Sequence, residues 1–359
     1  MRIGLNLLYL VPGAVGGTEI YARHLIAALA RLRPDDELVA FAGVEAAPTL
    51  RFPPNVSVRR LPVRAANKPL RIAAELSLLP AAAARARVDV LHSVGTTSPL
   101  VTPCPGVVTI HDLIYEHFPA TFPRASRLGL KALVGPGARR ATRVHAISQF
   151  TKRDVVERLR VPEERIDVVL NGYGIAEAER VTPEAELRTR FGLGRDRVVL
   201  CVSAALEHKN LPRLIEAMRG VDARLVVAGH PGRERLAGAT FTGWVDDADL
   251  EGLYRLAACA AYPSLFEGFG MPALEAMARG VPLACSNAAS LPEVTGDAAV
   301  LFDPRDVGAM RDAIRRVLDD PPAGLVERGR ARASEFTWER CARGVWEVYE
   351  KAARSPASS

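Results

Sequence analysis

Short apolar runs rich in Val, Ile and Leu alternate with longer stretches whose apolar residues recur at helical spacing, almost from end to end of the chain. Residues 2–8 predict a strand and residues 19–32 a helix. Residues 88–92, 106–110 and 143–147 predict further strands, each followed by a turn and a helical pattern. The scheme restarts after Asn171-Gly172, with strands predicted at 198–203, 224–228, 258–263 and 282–286. Helices are predicted between them at 210–218, 247–257 and 272–279. Alternation of this kind implies α/β architecture, with parallel sheets covered by helices on both faces. Two such series imply two doubly wound domains, each with its ligand crevice at the carboxyl ends of the strands. Residues 171–190, rich in Gly, Glu and Arg, are the expected linker, and a small-residue tail closes the chain at 355–359.

Composition narrows the class. A chain of 359 residues can bury two cores, and 48% hydrophobic with 25% charged residues excludes a disordered or fibrous protein. The five cysteines are scattered with no C-x-x-C pair, so reduced thiols are expected rather than disulfides or a zinc site. Arg2 and a strand-like run follow Met1 where a signal peptide would show a different pattern. The longest apolar run, around 76–84, is far short of a membrane span. A cytoplasmic protein, at most peripheral on the inner face of the membrane, is expected.

The net charge of +6 is unevenly divided, +9 over residues 1–172 against −3 over the rest. Much of the excess lies at Arg124, Arg127, Lys131, Arg139, Arg140 and Arg143, a stretch without acids. Such a run is either a solvated helix face or a patch for an anionic partner, such as a phospholipid surface or a polyprenyl-phosphate acceptor. No aromatic residues interleave the charges, so nucleic acid is not an expected partner.

The densest candidate chemistry is Ser264-Leu-Phe-Glu267-Gly268-Phe269-Gly270-Met271-Pro272-Ala-Leu-Glu275. It follows a predicted buried strand and enters a helix that Pro272 is suited to start and Gly280 to end. A glycine-flexible turn leaves backbone N–H groups at the helix start open to an anion. Glu267 and Glu275 would repel a phosphate, so they are expected to accept hydrogen bonds from sugar hydroxyls. The competing reading makes Ser264-x-x-Glu267 a capping box, which Gly268, Gly270 and Pro272 oppose. Asp247-Ala-Asp249 has the spacing of a metal-binding Asp-x-Asp, but it sits in a turn that looks like a helix cap, and no metal site is expected.

These residues carry a resemblance. Glu267 and Glu275 match the E-x7-E motif of the retaining glycosyltransferases of family 4, and the likeness extends over nearly the whole chain. Gly13-Ala-Val-Gly16-Gly17-Thr18-Glu19 resembles the family's glycine-rich loop, and Val108-Thr-Ile-His111-Asp112 its strand ending in histidine. Ala146-Ile-Ser148, Asn171-Gly172, Glu207-His208-Lys209-Asn210 and Thr242-Gly243-Trp244-Val245 resemble further signatures in the same order, and 338–349 the last helix. The resemblance implies the GT-B fold, two facing Rossmann-like domains with a C-terminal helix crossing back to the first. It implies an acceptor-binding domain over 1–172, a nucleotide-sugar-binding domain over 173–335, and the returning helix over 336–359. The implied reaction moves a hexose from a nucleotide-diphosphate sugar to an acceptor hydroxyl of a glycan, lipid-linked or small molecule, with retention. GDP-mannose is the first donor suggested and UDP-glucose the second, with no metal or other cofactor.

By the same resemblance Lys209 reaches the donor diphosphate as a point charge. Gly16 and Gly17 let the backbone approach that diphosphate. His111, Glu267 and Lys209 are the catalytic residues it implies, His111 contacting the donor sugar through its side chain or carbonyl, and Gly268, Phe269, Gly270, Met271 and Glu275 bind the donor. Retention is open to a double displacement on Glu267 or to a front-face, SNi-like route. The family commonly places an arginine where this chain has Ala204, which leaves Lys209, helped by His208 or Arg213, to hold the leaving group. A GT-B-fold sugar-nucleotide epimerase and a non-catalytic sugar-nucleotide-binding protein are the alternatives. A dinucleotide-dependent oxidoreductase is disfavoured, because Gly13-x-x-Gly16-Gly17 does not fit G-x-G-x-x-G.

Overall fold

The computed structural model describes residues 1–14, 16–174, 180–204, 206–229 and 237–355. Val15 of the glycine loop, 175–179 of the expected linker and 356–359 of the tail lie outside the described residues. The chain forms two compact units, Met1–Gly172 with Phe336–Ser359, and Tyr173–Glu335.

The first unit is built on β1 (Arg2–Leu7), β2 (Glu37–Ala42), β3 (Val56–Arg60), β4 (Val90–Ser93), β5 (Gly106–Ile110), β6 (Arg143–Ala146) and β7 (Ile166–Val168). All pair in parallel, in the order β3-β2-β1-β4-β5-β6-β7. The central strands are buried on both faces, which is why they read as unbroken apolar runs. The chain fills one side of β1 and then returns to the other through β4, so a switch point lies between β1 and β4.

The last helix, Trp338–Arg354, belongs to this unit. Its buried residues Trp338, Cys341, Ala342, Val345, Trp346, Val348, Tyr349 and Ala352 recur at spacings of three and four, and join the core of β1 and the helix Gly17–Leu32. Thr337 caps it by accepting from the Arg340 N–H at 3.1 Å. Gly172 is fixed by this packing, since a Cβ there would stand 2.5 Å from the Trp338 Cα.

A buried polar chain ties the helix to the sheet. The His145 Nε2–H donates to the Val169 carbonyl at 2.9 Å, which makes Nδ1 an acceptor. Thr109 lies 3.0 Å from that Nδ1 and 2.7 Å from His92 Nε2, and His92 Nδ1 lies 2.7 Å from the Tyr349 hydroxyl. One arrangement satisfies every member: Tyr349 donates to His92, His92 to Thr109, and Thr109 to His145.

The second unit carries β8 (Val198–Val202), β9 (Arg224–Ala228), β10 (Thr240–Gly243), β11 (Ala257–Tyr262), β12 (Leu283–Ser286) and β13 (Val300–Phe302). They pair in parallel as β10-β9-β8-β11-β12-β13, with the switch point between β8 and β11. Part of the expected linker is structured here. The helix Glu184–Arg190 buries Leu187, and the Thr182 hydroxyl donates to Asp249 at 2.6 Å. Gly252 keeps that approach open, because its Cβ would stand 2.6 Å from the Thr182 carbonyl. The linker is therefore shorter than 171–190.

The basic stretch is also less bare than its sequence. Within the first unit Lys131 pairs with Glu116 at 2.8 Å and Arg143 with Asp167 at 2.7 Å, both acids distant in sequence. Arg139 donates to the Leu159 carbonyl at 2.9 Å. Arg124 and Arg140 stay exposed and Arg127 half-buried. Among the described residues no helix is long and apolar enough to cross a membrane.

Candidate active site

The loops leaving the carboxyl ends of β8 and β11, at the second unit's switch point, hold Lys209 and Glu267 together. The turn after β8 is fixed by Asn210, which adopts φ 59° and donates its side-chain amide to the Pro263 and Pro304 carbonyls at 3.0 and 2.7 Å. The Leu265 N–H donates to the His208 carbonyl at 2.7 Å, so the two loops are stitched backbone to backbone. Lys209 Nζ then donates to Glu267 Oε1 at 2.6 Å, and the Ser264 hydroxyl to the same oxygen at 2.7 Å. Both charged side chains are mostly buried, 18% and 15% exposed, a setting in which an ion pair is screened less than at the surface.

No helix begins at Leu265, so Ser264 and Glu267 are not a capping box. Ser264 bonds the Glu267 carboxylate itself, and the helix runs Met271–Ala278 with Gly270 as its cap. Gly270 has φ +106°, and a Cβ there would strike Leu291 at 2.7 Å, so glycine is demanded twice over. No side chain caps this helix start. Phe266 and Phe269 are buried anchors, so Phe269 offers a ligand its backbone and not its ring. Lys209, Ser264, Glu267, Gly270 and Pro272 line one small cavity with Ser203 and Tyr262.

Glu275 stands one turn along the same helix. Its Oε2 accepts from the Tyr254 hydroxyl at 2.9 Å, and burial pushes its carboxyl above the ordinary range, opposed by that bond and by Arg279. Arg279 lies over the Tyr254 ring at 4.6 Å and donates to Glu251 and the Tyr173 hydroxyl at 2.7 and 2.8 Å. Ser290, beyond β12, donates its hydroxyl to the Glu267 and Phe269 carbonyls at 2.9 and 2.8 Å. Tyr254, Asn210 and Ser290 had no assigned role in the sequence. The rule that ligands gather at strand carboxyl ends points to the loops of Asn210 and Ser290, whereas Tyr254 is found only by its contact.

Around the cavity, Ala204 is exposed and brings no charge. Arg213 donates to Asn210 Oδ1 at 2.9 Å, and His208 is held down to about 4 by burial and then by Lys209. Among the described residues that line the cavity, Lys209 carries the positive charge. Of the Asp-x-Asp acids, Asp249 is already engaged. Asp249 accepts from Thr182 and pairs with Arg190, and Asp247 sits in the first turn of the helix Asp247–Leu256, which the adjacent Asp246 caps. Among the described residues no cluster of His, Cys, Asp or Glu is arranged to hold a metal. A larger groove by Asp196, Ile215, Arg219 and Arg224 opens at the amino edge of this sheet and collects none of the expected residues.

Gly16, Gly17 and His111 lie in the first unit. Gly16, at φ +56°, caps the helix Gly17–Leu32, and neither glycine's Cβ would meet an atom within 4 Å. Packing therefore does not demand Gly17, and the open space would admit a ligand close to the backbone. The nearby Glu19 carboxylate accepts from the Gly13 N–H at 2.8 Å and is paired with Arg23 at 2.8 Å, which offsets its repulsion of an anion. His111 follows β5, donates Nε2–H to the Val94 carbonyl at 2.9 Å and meets Tyr21 edge-on at 4.8 Å between ring centres. Burial holds it down to about 4, so it is neutral near pH 7 with Nδ1 able to accept a hydrogen bond. His92 and His145 are the structural pair of the polar chain.

Known proteins match both halves. The profile described as "Glycosyltransferase Family 4" matches residues 15–177, and that of "Glycosyl transferases group 1" residues 184–335. O-antigen chain mannosyltransferase B of Escherichia coli is 29% identical over 68% of this chain and 70% of its own length. The MMP alpha-(1->4)-mannosyltransferase of Mycolicibacterium hassiacum is 32% identical over 60% of this chain, which spans 55% of that protein. The solved structure of Anabaena HepE in complex with UDP and glucose superposes with a TM-score of 0.72 at 20% identity, covering 98% of this chain and 99% of its own.

Proposed function

We propose for this chain, which belongs to the glycosyltransferases of family 4, the transfer of a hexosyl group from a nucleotide-diphosphate sugar to an acceptor hydroxyl, with retention at the anomeric carbon. The observation that carries the reading is the Lys209–Glu267 pair in a cavity that the start of the helix Met271–Ala278 also lines. An ammonium with three donors can keep Glu267 and still take a phosphate oxygen. With the Gly270 to Met271 backbone it would stabilise the charge that develops as the bond from sugar to diphosphate breaks. Glu275 is the acceptor for sugar-ring hydroxyls of the donor nucleotide.

The double donation onto Glu267 Oε1 favours the front-face route over a covalent intermediate, because a carboxylate oxygen engaged by Lys209 and Ser264 is a weakened nucleophile. In that route the departing phosphate oxygen takes the acceptor's proton as the new glycosidic bond forms. The transfer is proposed to need no metal, Lys209 supplying the charge. Mannose is the proposed hexose and GDP-mannose the donor, supported by the two mannosyltransferase relatives; UDP-glucose is second, supported by the HepE complex. The acceptor is a glycan, a lipid-linked sugar or a small molecule.

A thermal-shift screen against UDP, GDP, ADP and their hexose conjugates tests this. One nucleotide family should raise the melting temperature by mass action, and Glu275→Ala should abolish the rise. Stabilisation by none of them would sink the donor site, with Ala204 the first suspect. Donor turnover that ignores every acceptor would point instead to an epimerase. The exposed Arg124 and Arg140 are proposed to meet anionic lipid at the inner face of a membrane. Liposome co-sedimentation indifferent to anionic lipid and to salt would remove that contact.

A further inference from the structure

The first unit carries a second basic stretch. Arg51, Arg59, Arg60, Arg64, Lys68 and Arg71 follow one another with no acid between Glu45 and Glu75. Lys131 and Arg143 find acids from elsewhere in the chain, but among the described residues none of these six makes an ion pair. Arg64 and Arg71 feel Glu45 and Glu75 only at longer range. Arg59, Arg60, Arg64 and Lys68 are exposed. Like charges gathered in this way oppose the compact state, and a bound anion removes that opposition.

Two of the six share a groove. Arg64 and Lys68 line it with Glu45 and Asn67, on the loops that leave the carboxyl ends of β2 and β3. Glu45 accepts from the Ala65 and Ala66 N–H groups at 2.9 and 3.5 Å, which shapes the loop beside Arg64. Asn67 caps the helix Lys68–Leu76 by accepting from the Leu70 N–H at 3.3 Å. Both neutralising or polar neighbours are thus turned to backbone, and the guanidinium and the ammonium keep their donors for a ligand. A phosphate suits the pair, since the guanidinium fork takes two oxygens and the ammonium acts as a point charge.

The same helix leads from the groove to the switch point. Its Glu75 is buried and accepts from Asn6 of β1 at 2.8 Å and from Thr97, beyond β4, at 3.0 Å. The switch point lies between those two strands. From Lys68 to Glu75 the helix climbs about 10 Å, a span that a sugar phosphate covers together with the reach of the lysine side chain.

We propose that the acceptor carries a phosphate, and that Arg64 and Lys68 bind it in this groove. The proposal rests on the sugar-transfer reading above and names the acceptor class which that reading left open. A soluble sugar phosphate and a lipid headgroup share the chemistry. Leu70, 59% exposed on the same helix, stays wet beside the first and is covered by the second.

The test titrates the full chain, saturated with GDP or UDP so that Lys209 is occupied, with mannose 6-phosphate and with mannose. Vesicles of phosphatidylcholine, with and without phosphatidylglycerol, form a second arm. Mannose 6-phosphate should bind about tenfold more tightly than mannose in calorimetry, and added salt should weaken it. Arg64→Ala and Lys68→Ala should each weaken it by about tenfold at an unchanged melting temperature, and Lys68→Arg should keep most of the affinity. Vesicle binding that needs phosphatidylglycerol and is lost in both alanine variants, without a response to mannose 6-phosphate, keeps the site and assigns the phosphate to a lipid. Binding of both probes that ignores the variants, or is absent from the parent, overturns the site and leaves the donor cavity standing. A parent that binds neither nucleotide overturns the donor reading and with it the acceptor role, while the same titrations without nucleotide still decide whether the groove takes phosphate.

Discussion

The two units share one architecture and use their polar residues in opposite ways. At the second unit's switch point the polar groups are charged, partly open and paired with each other: Lys209 on Glu267, with Ser264 on the same oxygen. In the first unit the chain from Tyr349 through His92 and Thr109 to His145 is buried, and burial keeps its histidines neutral. A paired but solvent-reachable charge can exchange its partner for a ligand. A sealed neutral network has nothing to exchange, and it specifies how the last helix seats on the sheet. Polarity at the heart of a domain thus marks chemistry in one case and fold specification in the other, and exposure and charge tell them apart.

The comparison breaks most visibly at Lys209. Lys209→Ala should cut sugar-transfer turnover by about a hundred- to a thousandfold, the effect of losing one charge-stabilising donor, with little change in melting temperature. A variant with normal kinetics would mean the pair is structural after all.

Acid should act on the other unit first. Burial lowers His92 well below its ordinary range and His111 and His145 to about 4, so the native state binds fewer protons than the unfolded chain. Their contribution to stability is complete above the unfolded value near 6.5 and is lost as pH falls through about 4. The raised carboxyl of Glu75, also in the first unit, offsets part of this, and among the described residues His208 is the second unit's lowered histidine. Hydrogen exchange at pH 7 and pH 5 should show the first unit loosening before the second. Equal protection in both at pH 5 would contradict the assignment.

Thr109→Val removes the hydroxyl that serves both histidines while keeping the shape. His145 Nδ1 keeps the Tyr21 hydroxyl at 3.2 Å, so the buried His92 N–H is the group left unsatisfied, which should cost about 1–3 kcal/mol in urea unfolding with turnover per folded molecule unchanged. The smallest effect belongs to Tyr254→Phe, which removes the hydroxyl that Glu275 Oε2 and the Tyr262 hydroxyl share, at a cost of about 1–2 kcal/mol. It should weaken donor binding several-fold and lower stability by no more than that cost. A variant as tight as the parent would show that Glu275 needs no positioning.

Much of this was legible in one dimension. Strands such as β1, β5, β8 and β9 are buried on both faces, so their apolar runs announce parallel α/β architecture without any partner in view. The strand β2 is as apolar as β1 and equally readable, although it was not predicted. The strands β3 and β10 are half-exposed edges, and β7 and β13 have three residues each, too few to show a period. The acids Glu267 and Glu275 were named from local pattern, because a turn's glycines and a helix's first proline are local constraints, whereas Lys209 was named through the family resemblance. What each side chain touches was not local. Neither the shared grip of Lys209 and Ser264 on one oxygen nor the hold of Tyr254 on Glu275 has a sequence signature. The same is true of the acids that Lys131 and Arg143 find, and of the helix inside the expected linker. Local patterns set the backbone's period and turns, so the sequence alone determined the elements and the residue types at the site. Pairing between side chains far apart in the chain depends on which strands become neighbours, and only the tertiary structure decided that.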